Sequence, residues 1–270
     1  MVEAAGAFAG QHVLITGATG GIGSILAAKL AREGCNISAV SRHEDRLADL
    51  AEWIESLGGS CNGIPQDLTQ KGAVEAVLEA ADKFGPIDSV FCAAADFQPG
   101  PFRSYTTEDI VSTIRLDLLS PILFTKSLLP AMLKRGFGKI CSIASAFGLL
   151  PLPYFSVHGA TKAGLIGFCR SLAAEIAGSG VTVTCVAPRA VDTAMINKYK
   201  PLYRRLRWNI DSPENTAEEI LKATALGKSF VAIGGADSIG WRIANVFPGI
   251  VQKIITIVQK DMTLFFEGAV

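Results

Sequence analysis

The sequence predicts an α/β fold: a doubly wound parallel sheet in a single domain, with a helical C-terminal extension. Three observations predict it. Short apolar runs rich in β-branched residues alternate with stretches of 3.6-residue apolar periodicity. A glycine-rich segment, Thr16-Gly17-Ala18-Thr19-Gly20-Gly21-Ile22-Gly23, joins the first such run to the first helical pattern. The 270 residues suffice for one large core, and 49% apolar against 19% charged residues excludes a disordered chain.

The elements follow in order. HVLIT (12–16) predicts a buried strand, and residues 22–33 the helix after it. NISAV (36–40) predicts a second strand, then a helix whose apolar face carries Leu47, Leu50 and Ile54. SCNGIP (60–65) reads as a weaker strand, followed by a helix through Val74, Val77 and Leu78. DSVFCAA (88–94) is a strand, and residues 107–134 a long helix in which Pro121 marks a kink or a turn. KICSIAS (139–145) is a strand, and residues 154–178 a helix ended by Gly178. VTVTCVAP (181–188) is a strand stopped by Pro188; a helix near 214–226 and the strand KSFVAI (228–233) complete the set. The polar stretch 196–213, with Pro201 and Pro213, reads as a long loop or lid. Strands alternating with helices imply right-handed crossovers and a parallel sheet covered on both faces. The expected domain is 1–235, with 236–270 as an amphipathic extension of it.

Composition excludes some functions. Lys+Arg and Asp+Glu are both 25, so no basic field marks a nucleic-acid partner. The six Cys (35, 61, 92, 141, 169, 185) form no CxxC pair, and with three His no metal-site spacing emerges. Most of these Cys lie in apolar runs, which predicts reduced core thiols and a cytoplasmic protein. The N-terminal MVEAAGAFAGQ has an acid and no basic stretch, unlike a signal peptide. No run approaches the ~20 apolar residues of a membrane span.

The tail is the compositional exception. Trp241, Ile243, Val246, Phe247, Ile250, Val251, Ile254, Ile255 and Val258 suggest one or two amphipathic helices. The favoured expectation is a helix packed over the substrate cleft or across a subunit interface, in a homo- or hetero-oligomer. The alternative is peripheral membrane association, with Trp241, Arg242, Lys253 and Lys260 as interfacial anchors. Either use makes the substrate entrance apolar, which points to a hydrophobic carbonyl compound or alcohol.

The glycine segment points to a dinucleotide. Glycines between a strand and a helix allow a tight turn and close approach to a pyrophosphate, and the helix N-terminus supplies free N–H groups and positive dipole. Thr16, Gly17, Gly21, Ile22 and Gly23 are the candidate contacts, in a Rossmann-type arrangement. After the second strand a carboxylate would repel a 2′-phosphate; this chain has Ser41-Arg42 there, suited to bind one. NADP(H) is therefore the expected cofactor. Asp67-Leu68 lies where an adenine would be flanked, although Asp67 also suits a helix N-cap.

These segments resemble the short-chain dehydrogenase/reductase family over about residues 10–235. TGATGGIG is similar to its TGxxxGxG. DSVFCAAA (88–95) falls where the family has a strand ending in NNAG, with Cys92 and Ala93 in place of the asparagines. PRAVDT (188–193) resembles PGxxxT, whose Thr meets the nicotinamide carboxamide; Thr193 matches it, and Arg189 replaces the Gly. The family's Asn-Ser-Tyr-Lys tetrad maps onto Asp117, Ser145, His158 and Lys162. The resemblance implies that Ser145 bonds the substrate carbonyl and that Lys162 holds the nicotinamide ribose. Two tetrad positions differ: His158 stands for the Tyr, and Asp117 for the Asn. Tyr154, one turn earlier, is expected at most to line the pocket.

Imidazolium is a competent acid near neutral pH. Lys162, one turn on, disfavours the charged ring, and Asp117 favours it, so the two substitutions read as one compensated change. The expected function is an NADP(H)-dependent oxidoreductase interconverting a carbonyl and an alcohol on a hydrophobic substrate. The alternative is a catalytically silent, cofactor-binding subunit that partners an active enzyme.

Overall fold

The computed structural model describes residues 6–235 and 248–268. Seven parallel strands form one sheet: β1 (His12–Thr16), β2 (Asn36–Ser41), β3 (Ser60–Pro65), β4 (Ser89–Cys92), β5 (Gly138–Ile143), β6 (Val181–Pro188) and β7 (Phe230–Ile233). Their order is β3-β2-β1-β4-β5-β6-β7. The order reverses between β1 and β4, which pair from Val13↔Ser89 to Thr16↔Cys92. In such sheets the ligand crevice opens at the carboxyl ends of the strands that flank this reversal.

Helices α1 (Gly21–Arg32), α2 (Glu44–Ser56) and α8 (Pro213–Ala225) supply one face; α3 (Ala73–Ala81), α4 (Thr107–Ile114), α5 (Ser120–Arg135) and α6 (Ser156–Glu175) supply the other. Each strand serves both layers because its side chains alternate. Leu14, Val90 and Ile140 enter the core with α3, α5 and α6, while Val13, Ile15, Phe91 and Cys141 enter the core with α1, α2 and α8. That two-sided burial explains why the strands read as continuous apolar runs.

Two elements differ from the sequence reading. The stretch 196–213 is no long loop: a 3-10 turn over Ala194–Tyr199 leads into helix α7 (Lys200–Arg205), with Pro201 in its first turn. Proline is tolerated there because its missing N–H lacks an intrahelical partner anyway. Arg189 ties this segment down, its Nε and Nη2 donating to Asp211 at 2.9 and 2.6 Å. The long helix at 107–134 is α4 and α5 joined by a π-helical turn, Arg115–Leu119, with Pro121 beginning α5. The turn absorbs one extra residue just before the proline and turns Asp117 fully inward. Contrary to the expectation that no segment approaches a membrane span, this 29-residue helix is long and apolar enough to cross one. Here it forms part of a sheet-covering layer, with Phe124 and Met132 in the core.

The C-terminal helix α9 (Pro248–Glu267) lies over the same end of the sheet as the crevice. Val258 and Met262 are buried in a third cluster with Phe97, Phe155, Tyr199 and Leu202. This matches the favoured expectation of a helix packed over the cleft. Trp241, Arg242, Ile243, Val246 and Phe247 lie outside the described residues, as does the Ile250 side chain. Lys253, Lys260 and Ile257 face outward.

Candidate active site

The glycine loop is shaped by close approaches that only glycine permits. Gly17 has φ +65°, and a Cβ there would lie 2.7 Å from the Ala94 Cα. A Cβ on Gly23 would lie 2.2 Å from the Gly17 carbonyl oxygen, so Gly23 lets α1 pack on the loop. Gly21 faces Thr193: its Cβ would lie 2.4 Å from the Thr193 Cγ2. The loop after β1 and the loop after β6 therefore meet at Gly21.

Thr16 joins two strands below the loop. Its Oγ1 accepts the Ala93 and Ala94 N–H groups at 3.1 and 3.2 Å, binding β1 to the end of β4. Thr19 and Gly20, unremarked in the sequence, line the crevice.

A cleft of about 230 Å³ runs from this loop across the ends of β2 and β3. Gly17, Thr19, Gly20, Ser41, Arg42 and Arg46 line it on one side, and Asp67 and Leu68 on the other. Arg42 is exposed, its Nε donating to His43 Nε2 at 3.4 Å; the Ser41 and Thr19 hydroxyls are 2.7 Å apart. Arg46 was not foreseen; it stands one turn beyond Arg42, a spacing that was legible. Asp67 is not an N-cap: it accepts from Thr69 N and Oγ1 at 2.9 and 2.8 Å, and α3 begins only at Ala73. Burial pushes the Asp67 carboxyl up, but these bonds, with Gln70 and Arg42, hold it below its ordinary value.

A smaller cleft of about 110 Å³ continues past Ala93, Ala95 and Met195, which line both. Ile22, Ser145, His158, Lys162 and Thr193 line it, among Phe97, Phe147 and Ile196. This is the form a dinucleotide requires: an outer part between polar loops, and an inner part at the tetrad residues. The glycine cradle and the joined clefts fit such a group.

The tetrad positions converge. His158 and Lys162 sit one turn apart on α6, with exposures of 7% and 2%. Asp117, fully buried, comes to them from the π turn. Its Oδ2 lies 3.3 Å from His158 Nδ1 and 3.4 Å from Lys162 Nζ, and its Oδ1 accepts the Asp96 N–H at 2.8 Å. The His158–Asp117 approach is close but has no aligned hydrogen bond. Burial pushes the Asp117 carboxyl up, but Lys162, His158 and the Asp96 N–H outweigh it and hold its pKa below the ordinary 3.8. Asp117 is thus an ionised buried group. Lys162 Nζ also donates to the Ile143 carbonyl at 3.2 Å, which fixes it against β5.

Ser145 lies in the turn that follows β5, its Oγ accepting the Phe147 N–H at 3.2 Å. Gly148 lets this turn rest on α6, since a Cβ there would lie 2.7 Å from the Lys162 carbonyl carbon. Phe97 meets the His158 ring edge-on, centroids 5.0 Å apart, a contact with no sequence signal. Tyr154 does not line the cleft. Its ring stacks on Phe266 at 4.7 Å, and its hydroxyl donates to Glu267 of α9 at 2.9 Å and lies 3.0 Å from the Thr263 hydroxyl, which can donate in turn. Among the described residues, no group of three or more His, Cys, Asp or Glu is placed to hold a metal ion.

A parallel sheet with a glycine loop and a two-part cleft at its order reversal marks an α/β protein of the dinucleotide-binding type. The chain belongs to the short chain dehydrogenase family, whose profile matches residues 11–203. It is 34% identical over 216 residues to the ketoacyl reductase HetN of Nostoc sp., covering 79% of this chain and 75% of that one. An oxidoreductase of Staphylococcus epidermidis, itself uncharacterized, is 34% identical over 183 residues, covering 67% of this chain and 78% of its own length. Two solved structures share the fold at 23% identity, each covering 86% of this chain and 99% of its own: a levodione reductase, TM-score 0.76, and a 3-ketoacyl-(acyl-carrier-protein) reductase from Brucella melitensis complexed with NADH, TM-score 0.75.

Proposed function

We propose that the protein is an NADP(H)-dependent oxidoreductase that interconverts a carbonyl and an alcohol on a hydrophobic substrate, with His158 as its proton donor. One observation carries this reading. The Asp117 carboxylate lies between His158 Nδ1 and Lys162 Nζ beside a cleft that Ser145 also lines.

Gly17, Thr19 and Gly20 would hold the diphosphate, Asp67 and Leu68 the adenine, Lys162 the nicotinamide ribose and Thr193 the carboxamide. The nicotinamide, when bound, supplies or takes up hydride. The protein's own residues do the rest. Ser145 hydrogen-bonds the substrate oxygen. His158 Nδ1 faces Asp117, which leaves Nε2 for the substrate. An imidazole reaches less far than a phenol, so the substrate oxygen must come close to α6. Phe97, Phe147 and Ile196 exclude water and suit an apolar substrate. The cysteines are free thiols, five of them buried, which supports a cytoplasmic setting.

The test is a pH–rate profile of single-turnover reduction. A rate that needs a proton from His158 should fall as rising pH removes it, and His158→Gln should abolish that dependence. A flat profile across the neutral range, unchanged by the variant, rules out His158 as the acid and favours a silent cofactor-binding subunit.

Cofactor preference has its own test. Arg42 and Arg46 offer charge to a 2′-phosphate, so NADPH should bind more tightly than NADH. Arg42→Ala should erase most of a preference of about tenfold to a hundredfold, as read by titration of both cofactors. Equal affinities in the unaltered protein overturn the assignment.

A further inference from the structure

The inner cleft contains a polar group that the reaction above leaves unused. Tyr203, on α7, is 2% exposed and lines that cleft with Ser145, His158 and Lys162. Its hydroxyl is buried and has no hydrogen-bond partner among the described residues. Its neighbours are largely carbon: the Trp208 ring lies 5.8 Å away, and Phe147 and Ile196 line the same space. Tyr199, four residues earlier, also has an unpartnered buried hydroxyl, and its ring meets Phe97 edge-on at 5.2 Å.

A buried hydroxyl without a partner is destabilising, and native interiors rarely leave one so. Phenylalanine would fill nearly the same volume without that cost. An unpaired donor in the wall of a binding cleft is explained when the acceptor arrives with the ligand. Burial, with Tyr199 nearby, also pushes the Tyr203 phenol up, so it remains a neutral donor.

We infer that Tyr203 is a substrate-binding residue, donating to a second oxygen of the substrate apart from the carbonyl held by Ser145 and His158. The site thereby selects ketones bearing a second carbonyl over plain ketones. This rests on the carbonyl–alcohol reading of the site. A substrate with an oxygen at this point satisfies the hydroxyl. A substrate with only hydrocarbon there keeps it buried and unpaired, which is how a polar contact in an apolar pocket discriminates.

The experiment is Tyr203→Phe in the full chain. Ketones carrying a second carbonyl a few bonds from the first are each paired with the plain ketone of equal length. The kcat/KM of both proteins is measured with NADPH, and their thermal midpoints without ligand. The unaltered protein should prefer at least one dicarbonyl over its plain partner. Tyr203→Phe should lower kcat/KM for that dicarbonyl by about tenfold to a hundredfold and for the plain ketone by far less, so that the preference between the two is lost. The ligand-free midpoint should stay or rise, because an unpaired group has been removed. Equal losses on both members of a pair, or a lowered midpoint, overturn the proposal and make the hydroxyl structural. If no ketone turns over, the reaction reading fails by itself. The same pairs are then titrated calorimetrically into each protein with NADP+. A dicarbonyl preference that Tyr203→Phe abolishes still supports the proposal; no preference, or no binding, overturns it.

Discussion

Asp117→Ala is expected to destabilise the protein by about 3–5 kcal/mol at neutral pH, measured by urea denaturation. The carboxylate is fully buried between the nitrogens of His158 and Lys162. Removing it leaves Lys162, 2% exposed, with only the Ile143 carbonyl as acceptor. It also strands the Asp96 N–H, which donates to Asp117 Oδ1. Both are costly in a low-dielectric interior. Asp117→Asn should cost less, because its amide carbonyl can still accept that N–H. The pH dependence has a definite sign. The Asp117 pKa is held below its ordinary 3.8 in the folded state. Its stabilisation is therefore present in full above the ordinary value and is lost as pH falls through the lower folded value. The gap between the two proteins should persist across neutral and mildly acidic pH and narrow only below about pH 3.8. A difference under about 1 kcal/mol at neutral pH would mean that water enters and solvates the cluster.

The fold was legible because its signals are local. Strands 12–16, 60–65 and 181–188 coincide with β1, β3 and β6, each set off by glycine, proline or polar residues. The glycine loop was legible for the same reason, since a strand-to-helix turn carries its own punctuation. The tetrad positions were read by resemblance; the structure brings Asp117, His158 and Lys162 together. What escaped notice depends on packing between distant segments. Two prolines and many polar residues made 196–213 read as a loop; the Arg189–Asp211 pair and the core contacts of Tyr199 and Leu202 make it ordered structure. No signal beside Thr16 shows that its hydroxyl will serve two alanine N–H groups at the end of β4. Tyr154 is drawn away from the cleft by α9, more than a hundred residues downstream. No periodicity shows that a proline will follow a π turn, yet that turn positions Asp117.

Gly21→Val should weaken NADPH binding by about a hundredfold, near 2.7 kcal/mol, while the protein remains folded. The obvious reason, obstruction of the pyrophosphate, is joined by a second. Any Cβ at position 21 lies 2.4 Å from the Thr193 Cγ2 and 2.8 Å from its Cβ, so a side chain there must push Thr193 away. Thr193 leads directly into the turn over Ala194–Tyr199, whose Met195 lines both parts of the cleft. The clash therefore reaches the inner end of the site as well as the phosphate end. The core has little reason to fail. Gly21 is exposed, its φ is not in the left-handed region, and replacing a helix glycine recovers about 0.5–1 kcal/mol of backbone entropy. Gly23→Val should behave differently, because its Cβ meets the Gly17 carbonyl oxygen at 2.2 Å and backbone cannot yield as a side chain can. The two causes in Gly21→Val separate with a companion change. Gly21→Ala combined with Thr193→Gly removes the contact atoms while keeping a small group near the phosphate. Because Thr193 is itself assigned to the carboxamide, the double variant is compared with Thr193→Gly alone: equal affinity identifies the clash as the main cause, and a further loss identifies the phosphate approach. Unchanged NADPH affinity in folded Gly21→Val protein would show that the loop is not the cofactor site.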